Sequence, residues 1–446
     1  MKLVVSKFGG SSMKDHEAML RSAKLSLKRN SNVVLVSATY NTTDQLLSLI
    51  SHAENGQWHN CEKVLFQIKE KHLDILYQLT KCTEAKERIK QLSIDLHTLT
   101  KGIYLIRECS LKTKDRIISF GERVSSILFA EAIKMSTNEK TVIHFDSRKI
   151  IRTDSTHGKA KPLIIETKKC CNEYFKFNDQ SIYIGQGFIS SDLKGSTTTL
   201  GRGGSDYSAA LIAEAIDANL LEIWTDVAGL ASTDPRVCEE ARPILEINYE
   251  EASEMAQYGA KILHPTTLVP AMRSKIPVYV GSSLDPEAGG TWIKNTASST
   301  PLVRAITNRP NQVLLTIRTA KMLSEYGFIG KIFEIITKNK INVDCITTSE
   351  ISIAVSVDIA TIQNEIFMNE LKSIGEVQTE HHFSLISLIG NKMLDETGLA
   401  LRVFQCLKNV NVRMICVGSS AYNFNILISQ SESDTSIRSL HQEFIK

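Results

Sequence analysis

Neither G-x-x-x-x-G-K-[ST] nor G-x-G-x-x-G occurs in this 446-residue chain, which argues against a P-loop NTPase and a dinucleotide-binding Rossmann domain. The H-R-D and D-F-G signatures of protein kinases are missing as well. Nine cysteines are scattered from Cys61 to Cys416 without a C-x-x-C pair, only Cys170 and Cys171 being adjacent, so zinc ligation and a disulfide framework are both disfavoured. Charge of one sign is scarce: a net charge of +3 supplies no basic stripe for nucleic acid or a membrane surface. Long apolar runs are absent too. Leu3 to Val5 is too short for a signal-peptide core and nothing approaches a membrane span, so a cytoplasmic protein is expected. What remains, 42% hydrophobic and 23% charged residues, is ordinary for a globular chain of about three domains.

Two glycine turns stand out. Leu3, Val4, Val5 and Phe8 read as a buried strand ending at Lys7, followed by Gly9-Gly10-Ser11-Ser12, with Ser12-x-x-Asp15 as a capping box for the next helix. The second, Thr197-Thr-Thr-Leu-Gly-Arg-Gly-Gly-Ser-Asp-Tyr207, joins a β-rich run to a helix through Ala209 to Ala213. Its glycines allow close backbone approach, and Ser205 and Asp206 fall where free N–H groups and the positive helix end face a ligand. Either turn alone reads equally as a plain loop. Together, a lysine at one and Arg202 and Asp206 at the other suggest a phosphate donor meeting an anionic acceptor.

The first three hundred residues alternate strand-like runs (33–37, 141–145, 181–189, 221–225 and 278–281) with helical ones such as 116–134 and 250–257, the pattern of an α/β sheet covered on both faces. Residues from about 44 to 111, rich in Leu, Lys, Glu and Gln, read as a helical insertion. The last third repeats. Lys321-Met-Leu aligns with Lys392-Met-Leu, Gly327 with Gly398 and Phe333 with Phe404 at one constant offset, and Asn342-Val343 with Asn411-Val412 at a slightly shorter one. Each copy reads strand, glycine loop, helix, strand, strand, helix, and resembles an ACT domain, a small module that binds amino acids and is stabilised by pairing. Pro301, Pro310 and polar neighbours are expected to break the pattern at a boundary near 301–311.

Seven motifs, Lys7-Phe-Gly-Gly-Ser-Ser12, Phe120-Gly-Glu122, Gln186-Gly-Phe188, Thr197 to Tyr207, Trp224-Thr-Asp226, Thr233-Asp-Pro-Arg236 and Gly259-Ala-Lys-Ile-Leu-His-Pro265, occur in the order seen in aspartate kinases. The resemblance covers essentially the whole chain. Because the sequence stops at Lys446, with no room for an appended dehydrogenase, it is most similar to the monofunctional, lysine-sensitive branch. The resemblance implies an α/β amino-acid-kinase fold, a three-layer αβα sandwich, over residues 1–300, then tandem ferredoxin-like ACT domains at 311–380 and 381–446. It also implies ATP and Mg²⁺ as cofactors, L-aspartate as acceptor, L-lysine as inhibitor, and a homodimer or homotetramer formed through the ACT domains.

Phosphorylating a carboxylate needs no general base, since a free aspartate side chain with pKa ~3.9 is already ionised. The difficulty is repulsion between two anions, which cations, backbone donors and Mg²⁺ must offset. The resemblance makes Lys7 the contact to the transferring phosphoryl oxygens, with Phe8, Gly9 and Gly10 beside the nucleotide. Asp206 is placed to orient Lys7 or a metal-bound water, or serves only as an N-cap. Arg202 suits a substrate α-carboxylate and Glu122 its α-ammonium group. Thr43 and Ser205 add donors to the substrate and Ser37 one nearer the phosphates, while Thr225, Asp226, Arg236 and Lys261 match nucleotide-binding positions. Ala231 stands where the lysine-sensitive type commonly has a tyrosine near the adenine. His144, His157 and His264 lack metal-ligand spacing and read as polar or packing residues. For the effector, the resemblance points to Met322, Glu325, Gly327, Phe328, Ile329, Val343, Asp344, Thr348, Ser349 and Glu350. Glu325 departs from the small polar residue usual there. Two alternatives remain open at this stage: a kinase of glutamate or acetylglutamate, and a catalytically weakened amino-acid sensor.

Overall fold

Residues 2–259, 264–297, 301–319 and 327–445 are described in this computed structural model. The chain divides into two compact units: one of Met1–Leu230, Leu245–Tyr249 and Ile262–Ala297, the other of Ala231–Ile244, Glu250–Lys261 and Ser298–Lys446.

An eight-stranded sheet organises the first unit, in the spatial order 141–144, 181–186, 33–36, 4–8, 220–225, 278–282, 290–294 and 246–248. All neighbours are parallel except 278–282 with 290–294. The central strands Val4–Phe8 and Val33–Val36 are buried at every residue, which is why they read as unbroken apolar runs. Alternation assigns the two faces. Phe8, Val34, Val36, Ile182, Ile184 and Trp224 join a core with residues of the helices His16–Lys28 and Leu111–Ser136, while Val5, Val33 and Leu35 are buried between them in sequence, and helix Gly204–Ala215 also contacts both central strands. The fold is therefore α/β with helices layered on a parallel sheet.

Helices Thr42–Glu54, Trp58–Leu79 and Thr83–Ile106 follow the second strand and share that core. At the amino end the expected capping box does not form. Residues Gly10–Met13 close a 3-10 turn, and Asp15 is itself the N-cap, accepting from Ala18 N at 2.9 Å. Ser12 Oγ instead lies 2.6 Å from Ser283 Oγ, a tertiary partner that outcompetes the local one.

The second unit holds a six-stranded antiparallel sheet, ordered 345–348, 352–358, 303–318, 376–390, 423–429 and 412–416. Each repeat contributes strand, helix, two strands and helix, with helices Phe328–Lys338 and Glu365–Ile374 in the first and Leu399–Cys406 and Ser433–Phe444 in the second. The second unit resumes at Ser298, close to the expected boundary, but Pro310 does not interrupt the pattern. Val303–Arg318 is one strand that runs through Pro310, and the irregularity is absorbed in a register shift between Arg309 and Gln312 with Asn311 at φ +61°. Within this unit Ile306 N donates to Ser232 O and Arg304 Nε pairs with Glu251 at 3.0 Å, which ties in the two stretches drawn from earlier in the chain. Among the described residues no helix is long and apolar enough to cross a membrane.

Candidate active site

Parallel strands end together, so the loops after Phe8, Val36 and Gln186 and the turn into helix Gly204–Ala215 gather at one edge of the sheet, the place where open α/β sheets bind ligands. They enclose a cavity of about 460 Å³ lined by Lys7, Gly10, Ser37, Thr43, Glu122, Ser205 and Asp206 among others. Gly203 caps the helix at φ +69°, and a side chain there would meet His264 Cβ at 2.6 Å. The turn requires glycine twice over. Gly187 makes similar room, since its added Cβ would fall 2.6 Å from Ser205 Cβ.

Lys7 and Asp206 meet inside the cavity wall, Nζ to Oδ1 at 2.7 Å, with side chains only 10% and 11% exposed. Asp206 is thus not an N-cap: Gly203 holds that position, and the Asp206 carboxylate faces the lysine. A Cβ at Gly9 would lie 3.6 Å from Lys7 Nζ, in ordinary van der Waals contact with the ammonium. Glu122 is fully buried on helix Leu111–Ser136. Its Oε1 accepts from Ala38 N at 3.2 Å, and Oε2 has no hydrogen-bond partner among the described residues. Burial pushes its pKa up to about 8, against two backbone hydrogen bonds that lower it.

Other expected positions fall around this centre. Arg202 is exposed in the turn, is not among the residues lining the cavity, and makes no ion pair among the described residues. Phe8 lies beneath the site in the core, and Gly9 N donates to Trp224 O at 3.1 Å. Thr225 Oγ1 donates to Asp226 Oδ1 at 3.0 Å at the end of its strand. In the second unit, Arg236 is exposed and forks onto Asp234, and Ala231 bridges to Pro243. Lys261, Met322 and Glu325 lie outside the described residues. His264 caps helix Pro265–Arg273, His157 lies 2.9 Å from Asp115, and His144 lies 2.9 Å from Ser126 Oγ. Sequence reasoning missed His72 and Thr39, which brace the loop lining this cavity.

In the first repeat of the second unit, Gly327 caps the helix at φ +82°, Phe328 is buried and Ile329 is exposed. Val343 packs at the edge of the repeat's core; Thr348 ends a strand, Ser349 accepts from Ser352 N in the next turn, and Glu350 is exposed there. Asp344 does not stand free for a ligand ammonium: it precedes the strand Cys345–Thr348 and is paired with Arg309 at 2.6 Å.

A profile of the amino acid kinase family matches residues 2–282, and one of the ACT domain matches residues 315–364 and 386–444. Over the full length of both chains, this chain is 39% identical to lysine-sensitive aspartokinase 3 of Escherichia coli (strain K12). The chain belongs to the aspartokinase family. It is 32% identical to aspartokinase 1, chloroplastic, of Arabidopsis thaliana over 99% of this chain and 80% of that one. Among solved structures, E. coli aspartokinase III in complex with aspartate and ADP (R-state) matches with a TM-score of 0.90, and the same enzyme with lysine and aspartate (T-state) with 0.83, each covering 100% of both chains at 39% and 38% identity.

Proposed function

We propose that this chain transfers the γ-phosphoryl group of ATP to the side-chain carboxylate of L-aspartate, giving 4-phospho-L-aspartate and ADP, and that L-lysine inhibits it. Kinship to an aspartokinase solved with aspartate and ADP supports the reaction, and kinship to its lysine-bound form supports the inhibitor. The observation that carries the reading is Glu122: a buried carboxylate with one unpartnered oxygen beside the Lys7–Asp206 pair suits the α-ammonium group of an amino acid.

A carboxylate oxygen of aspartate attacks the γ-phosphorus while the bond to the bridging oxygen of ADP breaks. Lys7, held by Asp206, stabilises charge on the phosphoryl oxygens as they pass. Glu122 and Arg202 engage the α-ammonium and α-carboxylate groups, Thr43 and Ser205 the rest of the acceptor, and Ser37 with Gly9 and Gly10 the phosphates. Thr225, Asp226, Arg236 and Lys261 serve the nucleotide. The oxygen donors at the cavity, the Asp206 carboxylate with the Ser37 hydroxyl, suit a Mg²⁺ carried in on the nucleotide, which would neutralise phosphate charge. We place the chain in the cytoplasm, working as a dimer or tetramer assembled through its ACT modules.

Hydroxylamine traps acyl phosphates, so the test is trapping with MgATP across a panel of acids. L-Aspartate is expected to give product much faster than L-glutamate or N-acetylglutamate. Equal rates on glutamate, or ATP turnover without trapping, would reject the assignment.

A further inference from the structure

The stretch from Ala38 to Asp44, a loop that runs into the first turn of helix Thr42–Glu54, forms one wall of the cavity and carries Thr43. It is braced from behind by the helix Trp58–Leu79, which lies in the helical insertion and does not itself line the cavity. His72 on that helix is fully buried. Its Nδ1 is 2.6 Å from the carbonyl oxygen of Ile68, a group that can only accept, so Nδ1 carries the ring proton. Burial pushes the imidazole down to about 4, so it is neutral at physiological pH and Nε2 accepts.

The remaining directions follow from that one proton. Thr39 Oγ1, 2.9 Å from Nε2, donates to it, and therefore accepts from Thr42 Oγ1 at 2.6 Å. Thr42 Oγ1 in turn accepts from Lys71 Nζ at 3.2 Å, and Lys71 also holds the Tyr40 carbonyl. The chain Lys71, Thr42, Thr39, His72, Ile68 leaves one helix, crosses the loop and returns to the same helix with every bond pointing one way. Such chains polarise and strengthen their members. The ring is fixed in turn by Phe120, edge-on at a centroid distance of 5.9 Å, which sits two residues before Glu122. From the other side Gly121 admits Ala38, whose Cβ would lie 2.7 Å from any Cβ placed at that glycine.

We propose that His72 is a positioning residue for the acceptor amino acid: through Thr39 and Thr42 it fixes the Ala38–Asn41 loop against the first turn of helix Thr42–Glu54, which presents Thr43 and the Ala38 N–H at the cavity that Glu122 also lines. The inference rests on the aspartate kinase reading above. It gives the helical insertion a role in acceptor binding and leaves nucleotide binding to other elements.

The experiment measures steady-state constants for aspartate and for MgATP in wild type, His72→Phe, His72→Gln and Thr39→Val, with melting temperatures alongside. Glutamine can present an acceptor near the place of Nε2, whereas phenylalanine keeps the bulk and loses the bond. His72→Phe is expected to raise the aspartate KM about tenfold or more while the MgATP KM changes less than about twofold. His72→Gln should recover much of the loss. Thr39→Val breaks the same bond from the loop side, and combining it with His72→Phe should add little, because the two act through one interaction. If His72→Phe does not fold, Thr39→Val alone carries the test. An unchanged aspartate KM in the folded variants, or equal rises in both constants, would overturn the proposal while leaving the reaction in place. A wild type that traps no acyl phosphate from aspartate would instead overturn the reading beneath it.

Discussion

Glu122 and Asp344 are both buried carboxylates, one in each unit, each raised in pKa by burial and each with one oxygen unpartnered among the described residues, and they differ in whether a cation stands beside them. Glu122 has no cation in ion-pair reach among the described residues; burial alone dominates, and its carboxyl is pushed up to about 8. Asp344 is also raised by burial, and the Arg309 guanidinium at 2.6 Å pulls the other way without cancelling the shift. An uncompensated buried acid is costly and becomes favourable only when a partner arrives, whereas a compensated one must surrender a partner to gain another. On the proposed reading, Lys7 is committed to Asp206 and Glu122 is left to pair with a cation brought by the substrate, whereas Asp344 would have to exchange Arg309 for the effector's ammonium. That difference suits a substrate site that discriminates strongly and a regulatory site whose occupancy is coupled to rearrangement.

The catalytic side of the comparison breaks most severely at Lys7. Lys7→Ala is expected to lower kcat by ~10²–10³-fold with the fold intact, the usual loss when one preorganised donor to the transition state is removed. Near-normal kcat by coupled assay would show that phosphoryl transfer happens elsewhere. The regulatory side should break more gently. Removing a charge-assisted bond costs about 1.5–3 kcal/mol, but Arg309 already competes for Asp344, so Asp344→Ala should raise the half-inhibitory lysine concentration by about 10-fold, the lower end, with kcat little changed. Threonine and methionine, lacking a side-chain ammonium, should inhibit wild type less. A lysine titration that leaves the variant fully sensitive would remove Asp344 from the effector site; threonine as the stronger inhibitor would remove lysine as the effector.

Much of this architecture is legible in the sequence, for physical reasons that differ by element. The central strands are buried on both faces, so Val4–Phe8 and Val33–Val36 announce themselves as continuous apolar runs. The Gly201–Gly204 turn is readable because glycine is nearly obligatory at φ +69° beside His264. The repeat in the last third reads correctly because each helix keeps its glycine cap, Gly327 at φ +82° and Gly398 at φ +81°. Local rules fail where tertiary partners intervene. Ser12 leaves its capping box for Ser283, and Pro310 sits inside a strand because the bulge at Asn311 absorbs it. The Lys7–Asp206 pair joins residues far apart in the chain; the two glycine turns suggested that they serve one site, but no local pattern shows the contact itself. His72 gave no signal at all: one histidine in an amphipathic helix looks like any other until the loop it braces is seen.

The claim that buried Glu122 is protonated until it pairs with a substrate ammonium is tested most directly by counting protons. With its pKa at about 8, Glu122 is mostly protonated at pH 7 and must lose that proton to pair with an α-ammonium group. Aspartate affinity should accordingly rise with pH up to about 8 and then level off. Calorimetric titration of aspartate at pH 7, in buffers of different ionisation enthalpy, should report release of about one proton per site in wild type and none in Glu122→Gln. Binding by wild type with no proton released, or with the same release in Glu122→Gln, would contradict the account.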